Sequence, residues 1–239
     1  KTGDEEITGV KTFNGGINIS VAGVTIDGID LDGSVDAIVL EAGDVTLKHI
    51  YSTATGKSSK TDGSSVFATS YYPTIFAGKA TSGITIADST FKTGSVIGAT
   101  VLMVNGKASD LTVDNTYFES TANGAAGAAI FTTRVGNAIN VTNNEFNWAS
   151  DTTIVLASTT TRSNNSASAI NIISNKFNGA TGIEETPCKG RIYIQSIDTK
   201  IAIAIKDNEF INMGTSGLFD FRNCKKTNNL TLKFEYNYL

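Results

Sequence analysis

Five phenylalanines, Phe91, Phe118, Phe146, Phe177 and Phe210, each stand seven residues after the first apolar residue of one recurring template. The template reads apolar, polar, apolar, then a short polar stretch rich in Asn, Asp or Ser. It occurs in GVTIDGIDL (23–31), DVTLKHIYS (44–52), GITIADSTF (83–91), DLTVDNTYF (110–118), AINVTNNEF (138–146), AINIISNKF (169–177), AIAIKDNEF (202–210) and NLTLKFEYN (229–237). Successive copies begin 21 to 39 residues apart. A unit of this length cannot bury its apolar face alone, whereas stacking on its neighbours completes a continuous core. This constraint decides the fold class.

A second apolar segment falls inside most intervals: AIVL (37–40), VLMV (101–104), AIFT (129–132), TIVL (153–156), RIYI (191–194) and LFDF (218–221). The widest interval is expected to hold an extra turn of the solenoid around VFATSYYPTIF (66–76). Ile and Val far outnumber Leu, and Thr is abundant. Branched side chains pack well on a pleated surface and lose freedom in a helix, so the segments read as strands. Two prolines among 239 residues argue against a Pro-rich disordered chain. The expectation is an all-β, single-stranded parallel β-helix of about eight or nine coils. Residues 1–16 would form an N-terminal lead-in or cap, and residues 17–239 the solenoid.

Two polar ladders follow from the alignment. Asp88, Asn115, Asn143, Ser174 and Asp207 share one corner position, and Ser89, Thr116, Asn144, Asn175 and Asn208 share the next. Asn tolerates left-handed backbone and bonds neighbouring backbone, which a tight corner needs. The constant Phe offset predicts an internal stack of rings.

The unit spacing and the Asn-x-Phe corner resemble the right-handed parallel β-helices of the pectate-lyase-like superfamily, over roughly residues 17–239. That resemblance implies architecture more than activity, because the superfamily includes polysaccharide lyases, glycoside hydrolases, phage tailspikes, adhesins and non-catalytic surface proteins. Its polygalacturonase-like members carry paired Asp, a Gly-His-Gly and an Arg-x-Lys. This chain has one histidine, His49, in a VTLKHIY context that fits a corner or strand flank. The Arg-x-Pro-x-x-Arg stretch of pectate lyases does not occur around Pro73 or Pro187. A short segment, ITGVKTFNGG (7–16), is similar to one that recurs in phage tail-fibre proteins.

Charge and composition narrow the partners. A net charge of -4 and a pI near 5.1 remove the electrostatic case for nucleic acid. No apolar run reaches the length of a membrane-spanning helix. The polar, acidic surface suggests an extracellular or cell-surface protein. Two cysteines make no disulfide framework. In-register stacking of RIYI on LFDF would put Cys188 and Cys224 at opposite ends, so both are expected as free thiols.

No cofactor motif is present. The acidic run Asp27, Asp30, Asp32 and Asp36 is the metal candidate, since closely spaced oxygen ligands suit calcium. An ordinary solvated face accounts for the same residues. Aromatic side chains outside the Phe register are the candidates for stacking on sugars: Trp148, Tyr71, Tyr72 and Tyr193, with Arg191 beside the last. Tyr117 also lies outside that register. Packing under a loop is the competing role for Trp148. The leading expectation is a non-catalytic scaffold for adhesion to a polysaccharide or surface glycan. A lyase or hydrolase with an unfamiliar site, and a phage-fibre or self-assembling surface element forming oligomers or filaments, stand as alternatives.

Overall fold

A computed structural model describes residues 6–7, 11–12, 16–31, 38–53, 60–61, 70–71, 73–77, 82–93, 99–103, 110–120, 128–132, 138–148, 153–157, 168–179, 192–195, 201–212, 218–222 and 230–239. Among these residues the elements are strands, in a 15-stranded sheet, an 8-stranded sheet and a two-stranded sheet. No helix among them is long and apolar enough to cross a membrane.

The chain visits three faces in turn and returns one strand further along each. Ile84–Ala87 lies on the first face, Thr90–Thr93 on the second and Ala99–Met103 on the third. The next template copy repeats the path with Leu111–Asp114, Tyr117–Ser120 and Ala128–Thr132. Each strand pairs in parallel with its counterpart in the next copy, so Ile84 faces Leu111, Thr90 faces Tyr117 and Val101 faces Ile130. This is the strand arrangement of a parallel β-solenoid. The six secondary apolar segments all contribute to the 8-stranded sheet, and Ile192 faces Phe219 as the in-register reading requires.

Two expectations are revised or extended here. Among the described residues the widest interval adds no strand to the first face between its neighbours, because Val45–Ser52 pairs directly with Ile84–Ala87. Within the interval, Ile75–Ala77 pairs with Ile38–Leu40 and Ala99–Met103, while Lys60–Thr61 and Ser70–Tyr71 form an antiparallel pair. Within residues 1–16, Glu6–Ile7 and Lys11–Thr12 pair in parallel with Thr25–Leu31. Cys188 and Cys224 lie outside the described residues.

The same corner position in successive copies has left-handed backbone: His49 (φ 51), Asp88 (φ 48), Asn115 (φ 46), Asn143 (φ 56), Ser174 (φ 57), Asp207 (φ 54) and Tyr236 (φ 53). Gly28 (φ 79) holds the same place in the first template copy. His49 is thus a corner residue. The bend adds one outward residue at the corner and alternation resumes beyond it, so Val141, Asn144, Phe146 and Trp148 point inward while Thr142, Asn143, Glu145 and Asn147 point outward.

Inside, side chains stack in register. Ile26, Leu47, Ile86, Val113, Val141, Ile172 and Ile205 form one fully buried aliphatic ladder. The five phenylalanines form the expected stack, with centroid spacings of 5.6, 5.1, 5.0 and 4.8 Å and interplanar angles of 18° or less. Those spacings approach the roughly 4.8 Å separation of neighbouring strands, so ring stacking and backbone pairing reinforce each other. Beyond Phe210 the pattern changes to edge-on contacts with Phe219, and from Phe219 to Phe234.

The second polar ladder is buried and fully engaged. Asn144 Oδ1 accepts from Thr116 N at 2.9 Å, Asn175 Oδ1 from Asn144 N at 2.9 Å, and Asn208 Oδ1 from Asn175 N at 2.9 Å. Their Nδ2 groups donate to the carbonyls of Val113, Val141 and Ile172 in the preceding copies. Asn237 continues the series.

One buried hydroxyl breaks this satisfaction. Thr132 is 0% exposed, faces inward beside Ile130, and its Oγ1 has no hydrogen-bond partner among the described residues. A buried donor left unpaired costs about 1–3 kcal/mol. Thr132→Val keeps the shape and removes the hydroxyl, so urea unfolding should show a gain of about 1 kcal/mol. A loss of stability would show that the hydroxyl has a partner.

Candidate functional site

The outward residues of the second face form two ordered rows. One runs Asp30, Tyr51, Thr90, Tyr117, Glu145, Lys176 and Glu209; the other runs Lys92, Glu119, Asn147, Asn178 and Ile211. Their outward direction follows from alternation. Tyr117 precedes the buried Phe118, Glu145 precedes the buried Phe146, and Tyr51 precedes Ser52, which fills the Phe position in its copy.

Tyr117 is the centre of a hydrogen-bonded group. Its hydroxyl donates to Glu119 Oε2 at 2.7 Å and accepts from Asn147 Nδ2 at 2.7 Å. Asn178 Nδ2 donates to Glu145 Oε1 at 3.0 Å. The Lys92 ammonium lies 5.9 Å from the centroid of the Tyr117 ring and 3.9 Å from Glu119 Oε2. Beside this group runs an open groove lined by Asp88, Thr90, Asn115, Tyr117, Asn143 and Glu145. Asn115 Nδ2 donates to Asp88 Oδ1 at 2.7 Å across its floor. The surface thus offers an aromatic ring edged by carboxylates and amides, on a rigid strand scaffold.

Partial burial, together with the hydrogen bond to Glu119, pushes the Tyr117 phenol above its ordinary value of 10.0. The neutral phenol is the form the folded state prefers. Its contribution to stability is complete below the unfolded value and is lost as pH rises through the folded one. An ultraviolet difference titration of the protein against Tyr117→Phe should show this phenol ionising above the usual range. Ionisation at or below that range would contradict the hydrogen-bond assignment.

Of the acidic run, Asp27 and Asp30 lie within the described residues, and they stand on different faces. Asp27 Oδ2 lies 3.0 Å from Lys48 Nζ, and its Oδ1 lies 2.6 Å from His49 Nδ1. Those bonds, His49 first, hold the Asp27 carboxyl below its ordinary range. The corner at Gly28 then separates Asp27 on the first face from Asp30, which sits beside Tyr51 on the second. Asp32 and Asp36 lie outside the described residues. Among the described residues no group of three or more His, Cys, Asp or Glu side chains is placed to hold a metal ion.

The sugar-stacking expectation needs correction at two residues. Trp148 is 1% exposed, on the inward side of Glu145–Trp148, where its ring is part of the core and offers no face to a ligand. Tyr193 is 7% exposed and likewise closed to a sugar. Tyr71 belongs to the short Ser70–Tyr71 strand, and of the described residues only its backbone is placed; Tyr72 and Arg191 lie outside them. The structure instead brings forward Tyr51, 45% exposed, together with Tyr117, Glu119, Glu145 and Asn147. Their signal was present in the sequence, since each stands at odd spacing from an inward residue of its own strand.

The chain matches no protein-family profile, no characterised protein sequence and no solved structure.

Proposed function

We propose that this protein is a right-handed parallel β-helix of about eight or nine coils, of pectate-lyase-like architecture. In this reading it acts outside the cell or at its surface as a non-catalytic scaffold that binds an extended polysaccharide. The observation that carries the reading is the outward row of the second face, where Tyr51 and Tyr117 stand two strands apart with polar groups in register around them. At the spacing of neighbouring strands that separation is about 10 Å, comparable to two linked pyranose rings. A pyranose can lay its C–H face on a tyrosine ring while its hydroxyls meet Glu145, Asn147 and Asn178. Exposed polar and aromatic residues held on a rigid strand scaffold favour binding of an extended ligand.

A glycan array with the wild-type chain and with a Tyr51→Ala/Tyr117→Ala double variant tests this. The wild type should retain at least one extended glycan, and the double variant should lose it by about tenfold or more while still unfolding in one cooperative transition. Release of reducing ends or unsaturated uronides from the bound glycan would instead support an enzyme. Native mass spectrometry showing an ordered oligomer, with no glycan retained, would support the structural-element alternative.

A further inference from the structure

Resting on the glycan-binding reading, we infer that Lys92 is a specificity-determining residue whose ammonium occupies the place of a ligand amine, so that this face selects amino sugars carrying free amines. The Lys92 ammonium already lies over the Tyr117 ring at 5.9 Å and beside Glu119 at 3.9 Å. An aromatic face and a carboxylate together form a receptor for a primary ammonium. A sugar stacking on Tyr117 has to displace this side chain, and only a ligand with its own cation restores what is lost.

The surrounding charges point the same way. Asp88 and Glu145 line the adjoining groove, and neither makes an ion pair among the described residues. Lys176 neighbours Glu145 in the strand register and is the cation that partly offsets it. A uronate would meet Asp88, Glu119 and Glu145 as like charges, and a neutral sugar would leave Glu119 without its ammonium. The chain builds the same combination a second time, with Lys206 5.5 Å from the Tyr236 ring centroid and 3.8 Å from Asp207. Ammonium on tyrosine beside a carboxylate is therefore a recurrent surface arrangement here.

The test is calorimetric titration with a short β-1,4-linked glucosamine oligomer and its fully N-acetylated counterpart, at mildly acidic pH where the free amine is protonated. The amine form should bind about tenfold more tightly, and added salt should narrow the difference. Lys92→Met frees the ring and leaves Glu119 for the ligand, so it should tighten the amine form several-fold. Glu119→Gln should weaken that form while sparing the acetylated one. Equal or tighter binding of the acetylated oligomer, or an unchanged preference in Lys92→Met, would overturn the amine assignment and leave glycan binding standing. Binding of neither oligomer, with another glycan retained on the array, would also overturn the amine assignment alone. Retention of no glycan at all would overturn both readings.

Discussion

Phe146→Ala should destabilise the protein by about 3–5 kcal/mol, the usual cost of removing a large aromatic side chain from a closed core. The ring is 0% exposed and lies between Phe118 at 5.1 Å and Phe177 at 5.0 Å, nearly parallel to both. Rigid strand pairing on either side prevents the neighbours from closing the gap. The expected loss is larger than for Phe210→Ala, because Phe210 has one parallel neighbour and one edge-on partner. Urea unfolding followed by circular dichroism measures both. A loss below about 1 kcal/mol for Phe146→Ala would mean that the ring is not packed as described.

A loss of similar size is expected from Asn175→Ala, for a different reason. This residue holds two backbone groups and two neighbouring amides at once. Its Oδ1 accepts from Asn144 N at 2.9 Å and Asn144 Nδ2 at 3.0 Å, and its Nδ2 donates to Val141 O at 2.8 Å and to Asn208 Oδ1 at 3.0 Å. Alanine strands the Asn144 N–H and the Val141 carbonyl in a dry interior, at about 1–3 kcal/mol each. Asn175→Asp keeps the shape but cannot donate to Val141 when ionised and buries a charge. That variant should be at least as unstable at neutral pH and should recover partly in acid, where the carboxyl is neutral. Equal stability of Asp and Asn at neutral pH would contradict burial of the ladder.

The architecture was readable because solenoid order repeats one local decision many times. A single Asn or Phe says little, but Asn144, Asn175 and Asn208 each two residues before Phe146, Phe177 and Phe210 restrict the chain to one register. The widest interval misled for the converse reason. Residues 66–76 have strand-like composition, yet only pairing partners decide whether a strand adds a turn or fills an existing one. Ile75 lies between Ile38 and Val101, so it fills one.

The binding face was less legible. Trp148 stands two residues after Phe146, and a period of two places both on one side of the strand, so burial could have been read directly. Its place outside the Phe register instead made it a candidate for stacking on sugars, with packing as the competing role. Tyr51 was hidden by its copy of the template, where Ser52 replaces the Phe that marks the register elsewhere. The Lys92, Tyr117 and Glu119 group spans two template copies. Nothing in the spacing of one copy brings Lys92 beside Glu119; the parallel register does.

The central claim is that the outward tyrosines of the second face meet the ligand. Ring-labelled tyrosine NMR tests it most directly, with Tyr51 and Tyr117 assigned from their Phe variants among the seven tyrosines of the chain. On titration with a glycan retained on the array, the Tyr51 and Tyr117 ring signals should shift together and saturate along one binding curve. Unmoved signals from both, while other tyrosines shift or none does, would place the ligand elsewhere and contradict the account.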